Sequence, residues 1–180
     1  MFALHKLQAI MNLPGRLLKA TYSIQDDTYD NWKYFYFFFY QRVLMFNIHV
    51  PWPCHPTSTV TGVGGIKFGK RTSPGSGPNQ YIQGANGIIF GDNVQIGPSV
   101  SIISANHDPS DYNLHLSSPP VIIGSNVWIG ANCVVLPGVK IGSNVIIGAG
   151  SIVNRDIPSD SIAVGNPCRK IKSKSPYTFA

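Results

Sequence analysis

Between residues 90 and 158 an aliphatic or aromatic residue returns at every sixth position, and small or polar residues fill most places between. The units read FGDNVQ, IGPSVS and IISANH, then, after a break, IGSNVW, IGANCV, VLPGVK, IGSNVI, IGAGSI and VNRDIP. A helix would repeat its apolar positions about every 3.6 residues and a half-buried strand about every 2. A period of six is instead typical of a solenoid, in which each unit supplies one short strand and a corner. We therefore predict stacked coils of three units each, with the leading residues forming one continuous core.

Each place in the unit predicts an environment. The β-branched residues at the first and fifth places suit tightly stacked strands that face the core, and the sixth place should project outward. Gly or Asn at the second to fourth places suits a corner that needs a positive φ. Cys133 occupies a fifth place and is predicted to be a small buried hydrophobe. A sandwich of short strands is disfavoured, because its turns recur at irregular spacings of about 8 to 12 residues.

Two segments interrupt the repeat. Val60 and Ile66 stand in the same six-residue phase as Phe90, which predicts that the solenoid begins near residue 60 and continues through an irregular coil rich in Gly and Pro. Fifteen residues, Asp108 to Ile122, are inserted before the repeat resumes. An insertion that leaves the period intact predicts an extruded loop at 108–122, and such loops commonly form the binding face of repeat proteins.

The N-terminal part has no such period. Short helices are predicted over residues 2–13 and 16–24, and Asp30 or Asn31 can cap a further helix that carries the aromatic run from Tyr34 to Tyr40. A membrane-crossing helix needs about 20 apolar residues, and this apolar stretch is shorter. Two interpretations stay open: the helix covers the end or flank of the solenoid, or residues 32–50 lie on a membrane surface.

These patterns predict three regions. Residues 1–55 form an N-terminal aromatic-rich helical cap, residues 56–158 form the β-helix, and residues 159–180 form a basic tail. The prolines between residues 51 and 56 indicate a linker between the first two regions.

Composition narrows the class of partner and the compartment. The chain is 43% hydrophobic and carries a formal charge of +6, but its Lys and Arg are scattered except near the C-terminus and no nucleic-acid motif is present. Three cysteines without a CxxC pair indicate neither a disulfide framework nor a zinc site. The N-terminus has no apolar core typical of a secretory signal. We expect a cytoplasmic protein that binds no nucleic acid, located in the cytosol or at the inner face of the membrane.

The stretch IGSNVWIGANCVVLPGVKIG, followed by IGAGSIV and GNPCR, resembles the hexapeptide-repeat acyltransferases. The resemblance covers roughly residues 60 to 172 and leaves the first fifty residues outside it. It implies a mainly β fold, the left-handed parallel β-helix. The hand comes from the resemblance alone, because parallel crossover connections are in general right-handed.

His107 ends the unit IISANH at a sixth place, so its side chain should point outward. A lone outward His is usually a solvated surface residue. The resemblance to the sugar O-acetyltransferases of the galactoside and maltose type, however, implies a catalytic His sixteen residues after the Gly of a GDNV unit, and Gly91 and His107 keep this spacing. A His with a pKa near neutrality can take the proton of an attacking hydroxyl and return it to a leaving thiolate. No GxSxG elbow indicates a covalent route.

Contacts to the acceptor are less defined. Asp108 or Asp111 could orient the imidazole of His107. The resemblance places Gln83, in the segment YIQ, where the galactoside-type enzymes have the Asn of a YAN segment, which implies a substrate or oxyanion contact. Asn86 is the alternative for this contact.

The resemblance also implies a coenzyme A site and a homotrimer with active sites between subunits. Small side chains would let the pantetheine arm approach the backbone, and cationic ones would bind the 3′-phosphate. The implied contacts are Trp128, Ala131, Ala149, Asn154, Arg155, Arg169 and Lys172.

The function that the sequence favours is transfer of an acetyl group from acetyl-coenzyme A to a hydroxyl of a sugar or saccharide, as in the biosynthesis of surface polysaccharide or lipopolysaccharide. A xenobiotic O-acetyltransferase and a non-catalytic or sugar-nucleotide-binding scaffold are the alternatives. A zinc enzyme of the carbonic-anhydrase kind would need three His ligands, and only His107 and His115 lie in the repeat region. We therefore expect no metal.

Overall fold

The computed structural model of the chain describes Tyr22 and residues 29–178, except for the side chain of Asn31. The helices predicted over residues 2–13 and 16–24 therefore lie outside the described residues apart from Tyr22.

The described strands form three sheets, which are the three faces of a prism. The first face contains β1 (Thr59–Thr61), β3 (Tyr81–Gln83), β6 (Ser101–Ile103), β9 (Val134–Val135) and β12 (Ile152–Val153). The second face contains β2 (Ile66–Lys67), β4 (Ile88–Phe90), β7 (Val121–Ile123) and β10 (Lys140–Ile141). The third face contains β5 (Val94–Ile96), β8 (Val127–Ile129), β11 (Val145–Ile147), β13 (Ser161–Val164) and β14 (Arg169–Ser173). Between β3 and β12 successive strands lie on successive faces and pair in parallel with the coil above, so three units make one coil, as predicted.

Side chains alternate across each strand as the places in the unit predict. In β8, Val127 and Ile129 are buried at 1% and 0% exposure, whereas Trp128 between them is 56% exposed. The inward aliphatic residues of all three faces form one core cluster, and Cys133 belongs to it. This continuous core is the main apolar stabilisation of the solenoid, because no single coil could bury its inner face alone.

The corners require the small residues that the repeat places there. Asn93, Asn126 and Asn144 stand at fourth places with φ of 55°, 58° and 59°, a conformation that Asn tolerates better than most residues. At second places the constraint is the distance between coils. A Cβ atom added to Gly130 would lie 2.6 Å from the amide nitrogen of Ala149 in the next coil, so only Gly fits.

The first coils do not keep the period. Val60 lies opposite Ile82 and Ile82 lies opposite Ile102, and both of these steps are longer than the three units that separate Ile123 from its partner Ile141. A maintained phase would make Ile66 and Phe90 equivalent positions of successive coils, but the residue opposite Ile66 is Ile88. The predicted start of the solenoid is correct, but the prediction of a maintained phase is wrong. Extra residues in the corners and between β2 and β3 absorb the difference.

The coils continue beyond residue 158. Ile157 bridges to Ile141, a step shorter than three units, and β13 then pairs in parallel with β11 on the third face. After β13 the chain turns back, and β14 pairs antiparallel with β13 at the edge of the sheet. Part of the segment predicted as a basic tail is thus a strand of the solenoid, because the shortened coil changes the phase of the repeat without ending it.

The aromatic segment forms a helix that begins at the predicted cap. The Asp30 carboxylate accepts a hydrogen bond from Lys33 N at 2.9 Å, and α1 extends over Asn31–Phe38. A π-helical turn, Phe39–Val43, follows. The helix ends there because Met45 and Asn47 take positive φ values of 62° and 52°. Within the part of the chain that the structure describes, no helix has the length and apolarity to cross a membrane.

The proline-rich segment after the helix is a buried plug and not the predicted linker. Val50, Trp52 and Cys54 belong to the core cluster of the solenoid, and Trp52 Nε1 donates to Pro74 O at 2.7 Å. Gln41 fastens the helix to this plug: its buried side chain donates to Trp52 O at 3.1 Å and accepts from Cys54 N at 3.0 Å. The plug therefore closes the first coil, and the aromatic helix packs outside it.

Candidate functional site

The inserted segment forms a hairpin that leaves the solenoid where the first face meets the second. Asp108 N donates to Leu114 O at 2.9 Å and Leu116 N donates to Asn106 O at 2.8 Å, which pairs the two arms of the hairpin. Val121 and Ile122, predicted as loop, already belong to β7, because they continue the second face opposite β4. The hairpin is thus shorter and more ordered than the extruded loop predicted at 108–122.

Asn86, in the corner of the preceding coil, fixes the root of the hairpin. Its Nδ2 donates to Leu116 O at 2.8 Å and to Ser118 Oγ at 3.0 Å, and its backbone N donates to Ser104 Oγ at 2.9 Å. Ser118 Oγ in turn donates to Ser104 O at 2.9 Å. Asn86, which was predicted to contact the acceptor, therefore holds the hairpin in place in this structure.

Gln83 also supports the segment before His107. Its Oε1 accepts hydrogen bonds from Ser104 N at 3.1 Å and Ala105 N at 2.8 Å, and its Nε2 donates to Ala105 O at 3.3 Å. These bonds direct the amide of Gln83 to the backbone. In this structure Gln83 orients the chain that leads to His107, which is a different task from the predicted contact with the substrate.

The His107 side chain is exposed, as its outward place predicts. Its ring centroid lies 4.5 Å from that of His115, with an angle of 34° between the ring planes, and the backbones of the two residues form an antiparallel bridge. His115 was not among the predicted site residues. Its position eight residues after His107 in the same insertion was the available signal, but only the hairpin pairing brings the two rings together.

The two carboxylates near His107 are engaged elsewhere. Asp108 Oδ1 accepts from Ser110 N at 2.7 Å and from Ser110 Oγ at 2.5 Å, and these bonds lower the pKa of the carboxyl. Asp111 Oδ1 accepts from Asn113 N at 2.9 Å and from Asn113 Nδ2 at 3.0 Å. Both carboxylates thus close local turns of the hairpin. The side chain of His107 contacts the ring of His115, and not Asp108 or Asp111, which were predicted to orient it.

Ala131 and Ala149 lie in successive coils at a different corner, where the third face meets the first. Gly150 N donates to Ala131 O at 2.8 Å. Gly130 and Gly148 precede the two alanines, and a Cβ added to either glycine would lie 2.6 Å from an atom of the next coil. This corner is therefore lined by small side chains and backbone. It is the kind of surface that a narrow chain with amide groups can follow closely.

The predicted basic contacts group at the last coil. Arg169 Nη1 donates to Asn154 Oδ1 at 3.2 Å and to Cys168 O at 2.7 Å, so these two predicted residues are neighbours. Arg155 is exposed beside Asn154, and Lys172 is exposed on β14 opposite Ile162. The chain reaches these positions by turning back along the solenoid, because β14 pairs antiparallel with β13.

Trp128 projects from the third face into a small cavity of about 140 Å³, which is also lined by Lys174 and Tyr177 of the returning tail. Among the described residues, no group of three or more His, Cys, Asp or Glu side chains could hold a metal ion.

The predicted site residues thus fall into separate groups within one chain. Asn86, His107 and Asn154 share one corner, after β3, β6 and β12. The coil of Asn154 lies two coils beyond that of His107, about 10 Å away at the usual strand spacing. Ala131 and Ala149 lie across the width of the first face, and Trp128 lies on the third face. The structure does not bring them into a single pocket of one chain.

Comparison with known proteins identifies relatives of the solenoid. Residues 120–155 match the family model described as bacterial transferase hexapeptide (six repeats). The chain is 47% identical over 89 residues to the galactoside O-acetyltransferase of Escherichia coli (strain K12), and 43% identical over 103 residues to that of Lactococcus lactis subsp. lactis (strain IL1403). The first alignment covers 47% of this chain and 43% of the relative, and the second covers 51% and 47%. The chain thus matches less than half the length of these relatives.

A solved structure is similar over almost the whole chain. A hexapeptide-repeat acetyltransferase from Vibrio cholerae O1 biovar eltor, complexed with acetyl coenzyme A, superimposes with a TM-score of 0.50 at 25% identity and covers 95% of this chain and 90% of its own. These findings confirm the resemblance to the hexapeptide-repeat acyltransferases. They also confirm the predicted fold class, a mainly β protein built as a left-handed parallel β-helix.

Proposed function

We propose that this chain is an acetyl-coenzyme A-dependent O-acetyltransferase that acetylates a hydroxyl of a sugar or saccharide, with His107 as the general base. The observation that carries the proposal is an exposed imidazole on a hairpin fixed by hydrogen bonds, in a chain that matches a galactoside O-acetyltransferase over 89 residues. The acetyl-coenzyme A complex of the Vibrio cholerae relative supports the choice of acyl donor.

The chemistry assigns one proton-transfer role to the chain. Acetyl-coenzyme A supplies the activated acyl group as a thioester. His107 takes the proton of the acceptor hydroxyl during attack and later gives it to the departing sulfur. The described cysteines are poor candidates for a covalent route, because all three are buried and burial raises their pKa values, that of Cys54 to about 12. We therefore propose direct transfer without an acyl-enzyme.

His115 is proposed as the residue that positions His107. A ring packed at 4.5 Å restricts the rotation of the His107 imidazole. Replacing His115 with Phe should keep the packing, so kcat should fall less than in His115→Ala.

The corner of Ala131 and Ala149 fits the pantetheine arm of the coenzyme, because its small side chains leave the backbone accessible. Arg169, held by Asn154, is proposed to bind the 3′-phosphate, with Arg155 and Lys172 nearby and Trp128 along the channel.

The test of Arg169 compares acetyl-coenzyme A with its 3′-dephospho form. The wild type should prefer the phosphorylated form by about tenfold in KM at low salt, and Arg169→Ala should lose most of this preference. An unchanged preference would exclude Arg169 from the site.

We propose that the active unit is a homotrimer in which the His107 corner of one chain faces the alanine corner of the next. The separation of these two corners across the first face supports this arrangement, because one chain presents only half of each site. Light scattering of the active species should give the mass of three chains, and an active monomer would contradict the proposal.

The acceptor class is tested by a screen. The purified protein is incubated with acetyl-coenzyme A and a panel of free sugars, nucleotide sugars and lipid-linked oligosaccharides, and thiol release is measured together with the mass of the product. We expect one acceptor class to gain a single acetyl group at a hydroxyl. Coenzyme binding without transfer to any hydroxyl would favour a scaffold role, and transfer only to xenobiotic hydroxyls would favour the xenobiotic alternative. The proposed place of the reaction is the cytoplasm, in surface polysaccharide or lipopolysaccharide biosynthesis.

A further inference from the structure

The helical segment after Asp30 carries a row of exposed apolar side chains along one side. We name as the aromatic stripe Trp32, Phe35, Phe39, Val43 and Phe46, which are spaced by three or four residues. Each is between 40% and 59% exposed. From Trp32 to Val43 the spacing is that of one helix face, and Phe46 follows beyond the last helical turn. The opposite side of the same segment carries the buried residues Tyr34, Phe37 and Gln41.

The preceding chain, where the structure describes it, packs on the opposite side. The ring of Tyr22 lies 6.2 Å from that of Tyr34, and the ring of Tyr29 lies 5.4 Å from that of Phe37. These contacts fill the buried face of the helix. Leu44, Met45 and Ile48 extend the exposed apolar surface beyond the last turn. Contiguous apolar surface of this kind marks an interaction site on soluble domains.

The charge around the stripe is mainly positive, although the exposed Asp30 carboxylate caps the helix beside Trp32. From residue 31 to residue 91 the sequence contains no Asp or Glu, whereas it contains the cations Lys33, Arg42, Lys67, Lys70 and Arg71. Lys33 is exposed, and its Nζ lies 5.8 Å from the centre of the Tyr29 ring. Arg42 adjoins Val43 in the sequence; its Nη1 donates to Ile48 O at 2.9 Å and its guanidinium carbon lies 5.5 Å from the centre of the Tyr22 ring. This end of the molecule therefore complements an anionic partner.

We propose that the aromatic stripe binds the surface of an anionic phospholipid bilayer, with the helix axis parallel to the membrane plane. Residues 31–43 span about 20 Å along the helix axis, too short to cross a bilayer but long enough to lie in the headgroup zone. Trp and Phe with flanking cations are the composition of such interfacial helices. A second copy of the chain is a poorer partner, because the two stripes would bring Lys33 and Arg42 of each copy together with only Asp30 as an acidic side chain to pair with them.

The test uses the full chain and sedimentation with two kinds of vesicle, pure phosphatidylcholine and phosphatidylcholine with about one-quarter phosphatidylglycerol. Binding to the anionic vesicles should be the stronger, and it should weaken as salt is added. Phe39→Ser should lower the partition coefficient about tenfold, and Lys33→Gln should lower it about fivefold.

Ile89→Ser is the matched control, because Ile89 is as exposed as Phe39, at 41%, but lies on the second face of the solenoid. This variant should bind vesicles like the wild type. Failure of the wild type to bind either vesicle would overturn the proposal, as would equal losses in Phe39→Ser and Ile89→Ser. Self-association that Phe39→Ser abolishes, without vesicle binding, would instead show the stripe to be an interface between copies. The readout needs no acetyl transfer, so it is independent of the proposed enzymatic function.

Discussion

The solenoid and the N-terminal helical segment bury their apolar residues in opposite ways. In the solenoid each inward aliphatic residue stacks on its counterpart in the next coil, and all of them join one core. The helical segment has a small aromatic cluster of its own around Tyr34 and Phe37, and it leaves a row of large side chains exposed. The plug of Val50, Trp52 and Cys54 belongs to the solenoid core although it adjoins the helix in sequence. The boundary between the two regions is thus one of packing and not of chain order.

The largest expected difference between the regions is in the two tryptophans that flank this boundary. Trp52 is 4% exposed in the plug and Trp32 is 59% exposed on the stripe. Trp52→Ala should destabilise the protein by about 3 to 5 kcal/mol through the cavity it leaves, whereas Trp32→Ala should change the free energy of unfolding by about 0.5 kcal/mol or less. Chemical denaturation of both variants checks this. Similar losses would mean that the helix and the solenoid share one core.

A smaller effect is expected from the glycines of the corners. Gly130→Ala places a Cβ 2.6 Å from the backbone of the next coil, whereas a Cβ at Gly64 meets no atom within 4 Å. Gly130→Ala should cost about 1 to 3 kcal/mol through overpacking, and Gly64→Ala should be neutral or slightly stabilising. The unfolding midpoints of the two variants show how much more closely the backbone is packed in a regular coil than in the irregular first coil. A neutral Gly130→Ala would show that the coils can move apart at little cost.

The smallest expected effect is a pH dependence of the junction between helix and plug. Burial lowers the pKa of His55, whose Nε2 lies 3.2 Å from Tyr36 Oη on the helix. The folded protein therefore favours neutral His55. The stability from this preference is present above the unfolded pKa of about 6.5 and is lost as the pH falls below it. His55→Gln should flatten the fall in unfolding midpoint between about pH 8 and pH 5. A slope as steep as that of the wild type would exclude His55 as its source.

The repeat predicted most of the regular coils because each place in a unit meets the same environment in every coil. It identified Cys133 as a core residue and Trp128 as an outward one, and both assignments are confirmed. It failed at Ile66, because the first coils are longer than three units and break the phase. The lengths of these coils are set by their individual corners. The spacing of Val60, Ile66 and Phe90 by multiples of six does not reveal those lengths.

The candidate site was less predictable than the fold because it depends on contacts between segments distant in sequence. The outward direction of His107 followed from its place in the unit. The contact with His115 follows from the pairing of the hairpin arms, and the tasks of Gln83 and Asn86 follow from hydrogen bonds to a loop whose path the sequence does not indicate. The plug around Trp52 was missed for a similar reason: prolines indicate a break in regular structure, but they do not show whether the broken segment is buried.

The most direct test of the account is the turnover number of His107→Ala with the acceptor found in the screen. We expect kcat to fall by about 10²- to 10⁴-fold, because the hydroxyl proton loses its base. The unfolding midpoint should stay that of the wild type, since the His107 side chain is exposed. His49→Ala serves as the control and should keep the wild-type kcat, because it removes another exposed imidazole whose Nε2 lies 2.8 Å from Val60 O in the first coil, two coils before that of His107. A folded His107→Ala variant with a kcat close to that of the wild type would contradict the assignment of His107 as the general base.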